Sequence, residues 1–243
     1  MMAQEPSAYL RIVQEDIKEG KSAAHVKSEM AFARAFAKTA FPNYVAWDAE
    51  TGPSQVWFLE RYDSYEAMEQ ATNITAAEPL RSTLNQLDEI DGLLRTLSRT
   101  IIARLRKELS YTPVPADIAK YRYYNVITFH IRPGRDADFA EFRKITNDAW
   151  QKAGYKGRRV IYSADSGAPA GTYFAIHGMQ SLKEMDEPLG TSPSSTAKLL
   201  QDIVISWERT LFAVNPKMSN PPKEYITADP DFWAPKSKPA AAK

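Results

Sequence analysis

Polar and apolar positions alternate along Tyr9–Ile17, YLRIVQEDI, and Gly20 stops the run. A period of two over β-prone residues predicts a strand. From Ser22 the period lengthens. Val26, Met30, Ala33, Ala37 and Ala40 recur at helical spacing, predicting a helix over about 22–40 that Pro42 and Asn43 end. YVAWD (44–48) and QVWFLERY (55–62), parted by Thr51-Gly52-Pro53, predict a hairpin. A short helix from Ser64 follows, then a longer one over about 82–98 with Leu84, Leu87, Ile90, Leu94 and Leu97 on one side. TIIARLR (100–106) closes the series as a strand.

The series then runs again. YYNVITFHIRPG (123–134) predicts a strand and a turn, and a helix over about 136–153 turns Phe139, Phe142, Thr146, Ala149 and Ala153 inward. RRVIYS (158–163) and TYFAIHGM (172–179) predict strands, and SLKEMDE (181–187) parallels SYEAMEQ (64–70). A helix over about 194–208 carries Ala197, Leu200, Val204 and Trp207, and RTLFAV (209–214) parallels RTIIAR (99–104). Four matches in one order indicate an internal repeat. The expected fold class is α+β: two tandem ferredoxin-like βαββαβ units, 9–110 and 121–214, with a linker at 111–120 and a Pro-rich tail at 215–243. Each four-stranded antiparallel sheet would carry helices on one face and need its other face covered. The two sheets are therefore expected to face each other as an eight-stranded barrel. Phe232 and Trp233 predict that the tail lies across the body as far as Trp233, with the last eight or so residues disordered.

The paired strand starts, the helix patterns and the matched ends LSRTIIARL and WERTLFAVN make residues 9–214 resemble a tandem member of the dimeric α/β-barrel superfamily. Relatives by fold include the NIPSNAP proteins, the antibiotic-biosynthesis monooxygenases, the EthD-like proteins and the chlorite dismutases. Asp229–Trp233, DPDFW, resembles the ending of certain bacterial proteins and implies no activity. Through the monooxygenases, the resemblance implies a cofactor-independent oxygenase or isomerase as one reading. Through the chlorite dismutases it would imply haem on a helix-borne His in the second half. Neither large helix there contains His, so haem is not expected, nor any other cofactor.

Strand parity sorts the side chains. On 123–132, Ile127, Phe129 and Ile131 are expected to meet the helices, leaving Val126, Thr128 and His130 toward the barrel. On 172–179, Phe174 and Ile176 are expected to meet the helices, leaving Tyr173, Ala175 and His177 inward. Transfer by register places Ile12, Gln14 and Asp16 inward, with Trp57 and Leu59 toward the helices and Phe58, Glu60 and Tyr62 inward. The expected ligand-lining set is therefore Gln14, Asp16, Phe58, Glu60, Tyr62, Thr128, His130, Tyr173 and His177. His130 and His177 are the catalytic candidates, since a His beside a carboxylate can serve as general base. Within one half they fall roughly 13 Å apart at about 3.3 Å per residue, so they share no metal, and no metal site is expected. An ordinary polar lining of a barrel mouth explains the same residues. His25, in the first turn of its helix, reads as a surface or packing residue.

Composition narrows the function. Lys and Arg number 31 against 30 acidic residues, so no field gathers nucleic acid or an anionic membrane. The absence of Cys removes thiol chemistry and thiolate metal sites. No apolar run reaches the length of a membrane span. The opening Met1-Met2-Ala3-Gln4-Glu5 fits a start placed before a mature exported chain, and also a cytoplasmic start; export is the expectation. The expected function is binding of a small apolar or amphipathic molecule between the sheets. The alternative is a monooxygenase- or isomerase-like enzyme using an inward His, and whether there is any catalysis stays open. A homodimer through exposed edges or the long helices is compatible with either.

Overall fold

The alternation in YLRIVQEDI forms a strand because one of its faces meets helices and the other meets a second set of strands. In the computed structural model, which describes residues 5–186 and 193–234, the chain runs β1 (Tyr9–Ile17), α1 (Ser22–Phe36), β2 (Tyr44–Ala49), β3 (Gln55–Tyr62), α2 (Tyr65–Ala76), α3 (Leu80–Asp91) and β4 (Arg95–Leu105). It continues with β5 (Tyr123–Ile131), α4 (Asp136–Lys152), β6 (Val160–Ser166), β7 (Thr172–Met179), α5 (Ser195–Ile203), β8 (Val204–Asn220), α6 (Lys223–Ala228) and α7 (Pro230–Trp233). The strands close into one antiparallel barrel in the order β1-β3-β2-β8-β5-β7-β6-β4. The architecture is mixed α+β. Each half lays its strands in the same order, β4-β1-β3-β2 and β8-β5-β7-β6, and the β2–β8 and β4–β6 ladders seal the ring.

Three predicted helices run too far at their C-terminal ends. The one placed over 82–98 ends at Asp91, and Arg95–Ser98 pair with Glu15–Ile17 of β1 instead. The stripe expected to be buried is thereby broken: Ile90 is 59% exposed and Leu97 44%. The one placed over 194–208 ends at Ile203, because Val204 onward pairs with β5; Trp207, expected inside, lies opposite Phe129 and is 54% exposed. The first helix stops at Phe36 rather than near 40. SLKEMDE yields one 3₁₀ turn, Leu182–Met185, and Glu187 lies outside the described residues. On α4 the buried face is Phe139, Phe142, Arg143, Thr146 and Trp150, so Trp150 fills the place assigned to Ala149 and Ala153.

Three apolar layers result. Leu10, Ile12, Trp47, Trp57, Leu59, Ile101, Val126, Phe174, Ile176 and Phe212 fill the barrel. Ile17, Tyr44, Val56, Phe58, Tyr62, Met68 and Met218 pack outside the first half, and Phe129, Ile131, Phe139, Phe142, Ile161 and Tyr173 outside the second. β8 runs beyond residue 214 to Asn220. The segment after it folds over the end of the barrel where β1 and β5 begin, the lower end. There Trp233 is 5% exposed and its Nε1 donates to the Ala119 carbonyl at 2.8 Å. Arg122 pairs with Asp229 and lies 3.7 Å from the Phe232 ring centre. The stretch expected to be disordered, from 236, is outside the described residues. Among the described residues no helix is long and apolar enough to cross a membrane.

Candidate functional site

The packing layers decide which face each candidate occupies. Gln14, Asp16, Thr128 and His130 share parity with the lumen residues Ile12 and Val126. At the upper end Gln14 accepts from Arg99 Nε at 2.5 Å, Asp16 accepts from Gln55 at 2.7 Å, and His130 Nδ1 lies 3.1 Å from Thr172 Oγ1. β3 and β7 have the reverse of the expected parity. Trp57, Leu59, Phe174 and Ile176 point into the barrel, while Phe58, Tyr62 and Tyr173 pack on the helix side. Glu60 and His177 follow that outer parity. His177 Nδ1 lies 2.6 Å from the Arg158 carbonyl, and His177 pairs with Asn125 whereas His130 pairs with Thr172. The two histidines therefore sit on opposite faces of the sheet. The cause is that both strands are sandwiched between lumen and helices, so both faces are apolar and no alternation marks the inside. The Arg-Thr pairs used to align the halves are likewise not equivalent. Arg99 bonds lumen-facing Gln14, whereas Arg209 lies opposite Ile127 and over the Trp207 ring.

Apolar side chains fill much of the lumen, and open space lies at its lower end. A cavity of about 110 Å³ remains there, lined by Leu10, Trp47, Leu59, Tyr124, Tyr162 and Ile176, with Tyr225 of the C-terminal segment over it. Trp47 stacks on Tyr124 with ring centres 3.9 Å apart, and its buried Nε1 has no hydrogen-bond partner. Tyr162 donates to the Ser7 carbonyl at 3.1 Å, and burial pushes its hydroxyl up to about 12. Arg61 Nη1 donates to Tyr225 Oη at 2.9 Å at the rim. No histidine lines this cavity.

A second cavity, about 340 Å³, lies on the other side of the sheet between β1, β3 and helices α1–α3. Phe58 and Glu60, expected in the lumen, line this one, together with Arg11, Glu15, Glu29, Asp88 and Arg95. Glu60 accepts from Tyr62 Oη and pairs with Arg11 at 3.4 Å; burial raises its carboxyl above the ordinary range, partly offset by Arg11. Beside this cavity is a group that sequence reasoning missed. Glu15 on β1, His25 and Glu29 on α1 and Asp91 at the end of α3 are all buried, each offering one donor atom within 4.8 Å of the others. His25 is 1% exposed, so of the surface and packing roles read for it the surface one does not hold. Its Nε2 lies 2.9 Å from Glu15 Oε2, 3.9 Å from Asp91 Oδ1 and 4.0 Å from Glu29 Oε1. Arg95 Nη1 donates to Glu15 Oε1 at 2.8 Å and Asp91 Oδ2 at 2.7 Å. Glu29 is raised well above the ordinary carboxylate range, first by burial and then by the charges of Glu15 and Asp91. The legible signals were the four-residue spacing of His25 and Glu29, which places both on one face of a helix, and the outward parity of Glu15.

No family model and no curated protein matches the chain. Solved structures do. An anthrone oxidase-like protein shares 11% identity at a TM-score of 0.61, over 88% of this chain and 94% of that one. A protein from Fusobacterium nucleatum, provisionally named a monooxygenase, gives 10% identity and 0.58 over 87% and 94%. Chlorite dismutase from Candidatus Nitrospira defluvii gives 9% and 0.50 over 93% and 96%. At these identities the likeness is one of fold: the chain has the dimeric α/β-barrel fold.

Proposed function

We propose that the chain is a tandem of two ferredoxin-like units whose barrel binds a small, mostly apolar molecule in its lower lumen. The observation that carries this reading is the cavity under the C-terminal segment, walled by aromatic and aliphatic side chains beside the unpartnered Trp47 N–H. Its volume, about 110 Å³, is below the roughly 150 Å³ of an apolar cavity that takes benzene, so the ligand is smaller than a six-membered ring, a short aliphatic chain. The full chain is tested by thermal unfolding with butanone and butanal, with Ile176→Phe as the filled-cavity control. At about 100 times its Kd a ligand adds about 2.7 kcal/mol of stability. Either probe is expected to stabilise the wild type and not the variant. Probes that leave the wild type unmoved, or stabilise both alike, overturn the reading.

The second reading, a monooxygenase- or isomerase-like enzyme, is favoured by the descriptions of the fold neighbours. Histidine is not available to it at the lower cavity, so an inward-His mechanism would have to work at the upper end, around His130.

A further inference from the structure

We infer that Glu15, His25, Glu29 and Asp91 form a binding site for a divalent first-row transition metal, on the helix side of the first half and separate from the lumen cavity. The geometry comes first. Three carboxylate oxygens stand 2.9, 3.9 and 4.0 Å from His25 Nε2. Metal bonds of about 2.0–2.2 Å to nitrogen and oxygen place neighbouring donors about 3–4 Å apart, so an ion at the centre reaches all four after small side-chain adjustments.

The orientation of the oxygens is the second observation. Arg95 engages one oxygen of Glu15 and one of Asp91, Oε1 and Oδ2. Their other oxygens, Oε2 and Oδ1, turn toward His25. Asp91 is fully buried, and its Oδ1 has no hydrogen-bond partner. The Ser28 hydroxyl, likewise buried and unpartnered, and His25 at 3.9 Å also act on that carboxylate, and a cation between it and His25 would occupy the free acceptor. Charge agrees in sign: Arg95 is shared with Asp88, so four carboxylates stand against one guanidinium and the site carries negative charge that a divalent ion offsets. The mixed donor set, one imidazole nitrogen with three oxygens, suits Mn²⁺, Fe²⁺, Co²⁺ or Zn²⁺ better than Ca²⁺ or Mg²⁺, which take oxygen sets. Glu15, Glu29 and Arg95 also line the 340 Å³ cavity, which gives an ion and a small additional ligand a way in.

The test uses the full chain stripped with chelator. Calorimetric titration with Mn²⁺, Zn²⁺ and Co²⁺ should show saturable binding at equal stoichiometry with protein. Co²⁺ should develop visible absorption, and Mn²⁺ paramagnetic resonance should carry nitrogen coupling from one imidazole. His25→Gln and Glu29→Gln should each lose at least about 100-fold in affinity, above the 10–100-fold cost of losing an outer-shell partner. His130→Gln should bind as the wild type does. The proposal is overturned if the stripped wild type takes up none of the three ions stoichiometrically, or if His130→Gln abolishes uptake while the His25 variant retains it. Should a His25 variant fail to fold, the wild-type resonance decides: nitrogen coupling supports the site, and its absence from bound Mn²⁺ refutes it.

Discussion

The two halves of the barrel place their strands in the same order and fill one strand–helix interface differently. Glu15 is the seventh residue of β1 and Phe129 the seventh of β5; His25 and Phe139 are the fourth residues of α1 and α4; Glu29 and Arg143 are the eighth. In the second half Phe129 and Phe139 meet with ring centres 5.4 Å apart, and Phe139 also lies 4.5 Å from Tyr173. Burying each such ring contributes about 1.5–3 kcal/mol. In the first half the equivalent space holds three carboxylates, an imidazole and part of a guanidinium. Taking such charges out of water costs several kcal/mol per ion, which pairing only partly returns. The second half makes the strand–helix contact with aromatic rings at the positions of Glu15 and His25 and buries a single charge, Arg143, at that of Glu29. The gathering of carboxylates is therefore confined to the first half, and the proposed metal site would account for it.

The sharpest way to break the comparison is to damage the apolar side. Phe139→Ala should cost about 3–5 kcal/mol, read from urea unfolding, because the ring is fully buried among three aromatic neighbours. A loss no larger than that of a surface substitution would mean that this interface is not a core. On the charged side, Arg95→Ala in chelator-stripped protein leaves Glu15 and Asp91 without their cation and should cost about 3 kcal/mol, the low end of the range because the Arg95 side chain is 18% exposed. Unchanged stability would show that the cluster is solvated and its charges weakly coupled.

The smallest effect concerns pH. His177 is held below the ordinary imidazole range, first by burial and then by the Arg159 charge, with the Arg158 carbonyl and Glu184 acting in the opposite sense. The unfolded chain thus binds a proton at higher pH than the folded one. The stability tied to neutral His177 is complete above about pH 6.5 and is lost as pH falls through the depressed folded value. His177→Asn should flatten that part of the stability–pH curve, and identical wild-type and variant slopes between pH 7 and 5 would remove the basis for it.

The lines of the fold were legible because local signals and tertiary demands agreed. Residues 55–62 and 172–179 are strands to the residue. β5 carried enough alternation to orient Thr128 toward the lumen, and transfer by register did the same for Gln14 on β1. QVWFLERY and TYFAIHGM carried none, since both faces of β3 and β7 are covered, and their inside and outside were exchanged. The charged cluster was hidden for a different reason. Asp91 stands 76 positions after Glu15 and was read as mid-helix, and only the end of α3 against β1 brings the two within reach of His25. A single His at the start of a helix announces nothing until its neighbours in space are known.

The ring is sealed along two ladders, β2–β8 and β4–β6, and each joins one half to the other. Were the halves separate chains, sealing would be a bimolecular event governed by how often two molecules meet. Here residues 106–122 tether them, so the partner edge is always present at a fixed effective concentration. Barrel closure is then first order, and the two faces of the lumen come together at a rate independent of protein concentration.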